Sequence, residues 1–123
     1  MIYNILLVGA GGFIGSAARY VVAWTTAEAG YTKYPVGTFI VNVAGCLGAG
    51  LVVGLAERHD WAPGLRLFLA VGFCGGFTTF SSFAVENVLL LQGRDLTAFG
   101  VYSLLSFALG LGGVILGMYI GRG

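Results

Sequence analysis

Four apolar runs, each about the 20 residues a helix needs to cross the hydrocarbon core of a bilayer, occupy nearly all of this chain. They cover roughly residues 2–24, 36–56, 65–91 and 96–120. The short links between them hold most of the charge: Thr25 to Pro35 with Glu28 and Lys33, Glu57 to Gly64 with Arg58, His59 and Asp60, then Gln92 to Asp95. Lipid offers no hydrogen bonds, so each run must satisfy its own amides and carbonyls as a helix. The expected fold is therefore an all-α membrane protein, one domain of four transmembrane helices over residues 1–123. A composition 58% hydrophobic and 9% charged, with a mean hydropathy of +0.93, excludes a soluble domain of this size. The first run lacks the basic start and small-residue cleavage site of a signal peptide, so it reads as a retained span.

The third run is unlike the others. Gly75-Gly76-Phe77-Thr78-Thr79-Phe80-Ser81-Ser82-Phe83 sets helix breakers, hydroxyls and aromatics at mid-membrane. Backbone that leaves the helix is tolerated there only where protein or a water-filled cavity satisfies it, so a broken third helix, with its break near residues 75–79, implies an ion or substrate path. Carbonyls freed from Gly75 to Thr78 suit a hard alkali cation. Counting about 100° per residue from Phe80, Phe83 lies near 300°, while Thr79, Ser82 and Glu86 lie near 260°, 200° and 240°. An aromatic edge thus runs beside a polar stripe. The ring edge is the positive part of the phenyl quadrupole and can face a small anion without a full charge. Glu86, an acid deep in a span, must be paired by Ser82 and other hydroxyls or else protonated.

Polar groups on the other spans fall at helical spacing. Thr38 and Asn42 are four residues apart, as are Tyr102 and Ser106, so each pair shares a helix face. Either pair can line a path or hydrogen-bond between helices. Arg19, near the far end of the first run, can snorkel to the interface or offer its charge to an anion arriving there.

The basic residues are balanced. Arg58, Arg66 and Arg122 fall on one side, Lys33, Arg94 and Arg19 on the other. Orientation normally follows the side richer in Lys and Arg, so an even split predicts insertion in both orientations and assembly as an antiparallel homodimer about an axis in the membrane plane. Small residues four apart, such as Gly11 and Gly15, Gly50 and Gly54, Gly72 and Gly76, Gly113 and Gly117, predict closely packed helices.

Other functions find little support. Gly9-x-x-Gly12-x-x-Gly15 imitates a dinucleotide fingerprint, but no alternating α/β chain follows it. Cys46 and Cys74 lack metal-ligand companions and read as small core residues. His59 sits in a charged link, and no nucleophile and base pair appears, so the chain is not expected to be an enzyme. A net charge of +1 gives no field for nucleic acid.

Taken together, these residues resemble the Fluc family of fluoride channels, also called CrcB proteins. The resemblance rests on Gly11-Gly12-x-x-Gly15 with Arg19, Gly37-Thr38-x-x-Val41-Asn42-x-x-Gly45, and Gly72-x-Cys74-Gly75-Gly76-x-Thr78-Thr79-Phe80-Ser81-x-Phe83 with Glu86. The fourth span matches through Tyr102 and Ser106, with Gly110 where some members carry a further hydroxyl. The resemblance implies a dual-topology antiparallel homodimer in a bacterial-type plasma or inner membrane, exporting fluoride passively through two pores, with a structural sodium ion at the dimer centre. It places Asn42, Phe80 and Phe83 on fluoride, and gives sodium the carbonyls of Gly75 and Thr78. Thr38, Thr79, Ser82, Glu86, Tyr102 and Ser106 would lie along the polar track. Fluoride itself comes from the resemblance alone. The competing expectation is a proton-coupled exporter of the small multidrug type that uses Glu86, although its first run carries no acid; a structural subunit of a larger complex is a third.

Overall fold

A computed structural model describes residues 1–123. Every regular element is helical. Helix α1 spans Ile2–Glu28 and α2 Val36–His59. Helix α3 covers residues 63–77, built from Pro63–Arg66, a π-helical stretch Leu67–Cys74 and the turn Gly75–Phe77. Helix α4 spans Phe80–Gln92 and α5 Leu96–Arg122. With α3 and α4 counted as one bent unit, four helices are long and apolar enough to cross a membrane.

The helices run further than the apolar runs alone suggest. Helix α1 continues through Glu28, and within it Thr25 and Thr26 return their hydroxyls to the carbonyls of Val21 and Val22, so these polar side chains are satisfied without leaving the helix. Helix α2 carries Glu57, Arg58 and His59 in its last turn and stops at Asp60, whose φ of 50° is left-handed. Pro63 then opens α3, where its missing N–H costs nothing. Asp95 caps α5 by accepting from the Ala98 amide at 3.1 Å.

Glycine decides how closely the helices approach. Helices α2 and α5 form the most extensive pairing, backbone against backbone: a methyl group on Gly54 would sit 2.7 Å from the Met118 carbonyl oxygen, and one on Gly121 2.7 Å from that of Leu51. Helix α1 lies on α3 in the same manner, with Gly76 against the Gly12 carbonyl.

One chain has almost no interior. Only 14 of 123 residues are buried, the largest apolar ones being Val41, Ala56, Cys74 and Tyr102. Phe13, Phe80, Leu104, Phe107 and Tyr119 stand exposed, so lipid or another protein surface must cover them. At one end Arg122 Nε donates to Glu57 at 2.8 Å, joining the α2 and α5 termini. At the other, Tyr34 donates to Asp95 at 3.4 Å, joining the first and third links.

Candidate functional site

The third span breaks at Thr78 and Thr79 alone. Gly75–Phe77 remain helical, and the Thr78 amide still donates to the Cys74 carbonyl at 3.0 Å. Glycine is well tolerated in membrane helices, and here Gly76 is needed for contact with α1, not for unwinding. The extended residues are Thr78 (φ −88°, ψ 158°) and Thr79 (φ −150°, ψ 116°).

What holds them is Asn42. Its Oδ1 accepts from the Thr79 amide at 2.7 Å, and its Nδ2 donates to the Thr79 carbonyl at 3.1 Å. One side-chain amide thereby replaces the two backbone partners Thr79 forfeits by leaving the helix. The other Nδ2 proton remains available. Of the two expectations for Asn42, lining a path or bonding between helices, the structure bears on the second: its amide ties α2 to the break.

Beyond the break, Thr79 caps α4 by accepting from the Ser82 amide at 3.2 Å, and its hydroxyl bonds those of Ser81 and Ser82 at 3.2 Å each. Phe80 is 79% exposed at the start of this helix. Its ring centroid lies 5.8 Å from that of Phe83, which lies 5.1 Å from Tyr102, tilted by 52°. Phe39 joins Tyr102 from α2 at 6.5 Å. The aromatic edge expected of α4 therefore extends across three helices.

Glu86 is paired by hydroxyls, though Ser82 is not among them. Thr38 donates to Oε2 at 2.7 Å and Tyr102 to Oε1 at 2.9 Å. Ser82 is instead engaged with Thr79, three residues nearer the break. The carboxyl thus joins α2, α4 and α5, with one hydroxyl donor at each oxygen. Ser106, one turn along α5 from Tyr102, keeps a buried hydroxyl without a partner. Gly110 lies against Cys46, where a methyl would meet the sulfur at 3.5 Å.

Arg19 does not snorkel. Its Nε donates to the Gly76 carbonyl at 3.0 Å, and Ser16 approaches the same oxygen at 3.5 Å. Gly15 explains the inward turn, because its bare backbone lets α1 rest on the Phe73–Phe77 turn and brings Arg19 to the end of α3. Sequence reasoning missed this contact, the π-helical stretch and the bond from Ser103 to the buried Asn87 at 3.3 Å. Only the last had a signal: Asn87 stands four residues after Phe83, on the same face.

The whole constellation can be compared with known proteins. The profile of the family described as CrcB-like protein, Camphor Resistance (CrcB), matches residues 6–118. The chain belongs to the CrcB family. A protein of Azobacteroides pseudotrichonymphae named fluoride-specific ion channel FluC is 41% identical over 118 residues, 95% of this chain and 94% of its own length. Proteins of the same name from Gloeothece citriformis and Chlorobium phaeobacteroides are 44% and 45% identical over 118 residues, each covering 95% of this chain, and 95% and 88% of their own lengths. With four apolar helices, this CrcB protein is a multi-pass membrane protein. The names of these relatives denote channels, which does not favour the exporter expected from Glu86.

Proposed function

We propose that this CrcB protein is a fluoride-selective channel that lets fluoride leave the cell passively, as an antiparallel homodimer with two pores and a sodium ion at its centre. The observation that carries the reading is the group of donors and rings on one side of the break: Phe80 exposed, Phe83 against Tyr102, the linked hydroxyls of Thr79 and Ser82, and the unpartnered Ser106 hydroxyl one turn along α5 from Tyr102. Fluoride is strongly hydrated, and a pore must replace its water with several donors in a narrow space. The Ser106 hydroxyl and the second Nδ2 proton of Asn42 are donors of this kind. The relatives' names supply the identity of the ion.

The dimer is supported by the thin interior and by the exposed Phe80, Val85, Val88 and Leu89 along α4, a face that a second copy would cover. It is also supported by the near balance of basic residues at the two ends, Arg58, Arg66 and Arg122 at the end tied by Glu57 to Arg122, Lys33 and Arg94 at the end tied by Tyr34 to Asp95, with Arg19 turned inward to Gly76. Each chain presents one such group of donors and rings, so a symmetric pair gives two pores.

The residues present fit a sodium ion. The Thr79 amide, which would continue the helix by bonding Gly75, goes to Asn42 instead, and the extended Thr78 turns its carbonyl out of the helical ladder. Gly75 is exposed, and a methyl there would meet only the Ala70 oxygen, at 3.9 Å. Gly75 and Thr78 would hold the ion with the same pair from a second copy. Bound there, it would offset the converging carbonyl dipoles. The test is efflux from proteoliposomes: fluoride should leave rapidly and chloride should not, and equal rates for the two would defeat the selectivity.

A further inference from the structure

We infer that Lys33 is an anion-collecting residue that sets the rate at which fluoride reaches the path at low ionic strength; this rests on the channel reading above. A cavity of about 430 Å³ lies between the C-terminal end of α1, the first link, the start of α2 and α4. Thr38 and Glu86 form part of its wall, so it opens directly onto the carboxyl that joins three helices. At the outer rim α1 and α2 approach closely, and a methyl on Gly37 would stand 2.7 Å from the Thr26 hydroxyl. That hydroxyl is turned back to the carbonyls of Val22 and Ala23. The rim therefore supplies shape but no free donor from Thr26.

The charges in this wall are Lys33 and Glu86. The fixed positive charge on this cavity is the Lys33 ammonium, exposed on the link and 5.3 Å from the Tyr34 ring centre. The neighbouring charges at this end, Glu28, Arg94 and Asp95, lie outside the cavity lining. Arg19 is committed to Gly76 on the inner side. Low-dielectric walls focus the field of a rim charge into such a cleft.

The size of the effect follows from Coulomb's law. A unit charge about 10 Å from the ion in water-like surroundings changes local anion concentration about twofold. Salt removes this, since the screening length falls from about 30 Å at 0.01 M to about 3 Å at 1 M. Purified protein in phosphatidylcholine liposomes, which carry no net surface charge, is assayed for initial fluoride efflux at both ionic strengths. At low salt, Lys33→Gln should lower the rate about twofold and Lys33→Glu about fourfold, with Lys33→Arg matching the parent. At high salt all four should converge. A Lys33→Gln rate equal to the parent at low salt, or a deficit that salt leaves unchanged, would overturn the inference; the second would mark Lys33 as a brace on Tyr34. Absence of fluoride efflux from the parent protein would overturn the channel reading itself, and with it this one.

Discussion

Replacing Asn42 separates two roles that the side chain could have. Alanine removes both of its bonds to Thr79, at 2.7 and 3.1 Å, and leaves a backbone amide and carbonyl without partners inside the membrane. An unsatisfied buried group costs about 1–3 kcal/mol, while polar contacts between membrane helices average nearer 0.6 kcal/mol because the alternative state finds other partners. Two such groups together therefore destabilise the break by about 2 kcal/mol. That is roughly 30-fold in the exchange of the Thr79 amide with solvent deuterium. Asn42→Asp keeps the acceptor for the Thr79 amide but sets a carboxylate oxygen against the Thr79 carbonyl, so it should restore little of the protection. Amide exchange in nanodiscs reads the clamp, and fluoride efflux reads the channel. Both should change in Asn42→Ala, with efflux down at least about tenfold. Thr79 exchange within about threefold of the parent would refute the clamp, and a loss of efflux alongside it would assign Asn42 to the ion alone.

Three further outcomes follow from the site. Phe80→Ile removes the ring edge from an exposed position, so it should suppress fluoride efflux while the protein still elutes as the parent assembly; unchanged efflux would take Phe80 off the path. Tyr102→Phe keeps the ring contact with Phe83 but loses the bond to Glu86, a difference of about 1 kcal/mol for a hydrogen bond between membrane helices. A clear fall in thermal stability in detergent is expected, and a melting temperature equal to the parent would show that the Glu86 contact contributes nothing. Gly76→Ala places a methyl 2.6 Å from the Gly12 carbonyl oxygen and should force α1 off α3, costing about 1–3 kcal/mol as overpacking; full stability of this variant would mean that the seam yields without strain.

The four spans were legible because lipid leaves an apolar run of this length one choice of structure. The ends were less so, since α1 continues through Thr25 to Glu28, residues whose polarity reads as a link. The break was legible in kind and misplaced in detail. Gly75 and Gly76 read as breakers, yet they stay helical, and the chain opens at Thr78 and Thr79 because Asn42, 37 residues away, can satisfy the exposed amide and carbonyl. Such a partner cannot be found by looking along the segment itself. The pairing of Glu86 shows the same limit: the helical wheel pointed to Ser82 on its own helix, whereas Thr38 and Tyr102 reach it from two others. Phe80, Phe83 and Glu86 do lie on α4, where the 3.6-residue period applies, while Thr79 is extended and caps that helix. The π-helical stretch Leu67–Cys74 is made of ordinary apolar residues and carries no local sign of its geometry.

The glycine seam between α2 and α5 also fixes when this protein can become itself. Gly50 and Gly54 leave the ribosome more than 50 residues ahead of Gly113, Gly117 and Gly121, which they must meet. Throughout that interval α2 stands in the membrane with a bare strip of backbone and no mate. The last span to be synthesised is thus the one that closes the bundle, and the Glu57 to Arg122 tie forms only at its final turn. Chains halted before residue 113 should keep the α1–α3 seam and the Asn42 clamp but leave the glycine strip of α2 uncovered, and so be exposed to quality-control proteolysis.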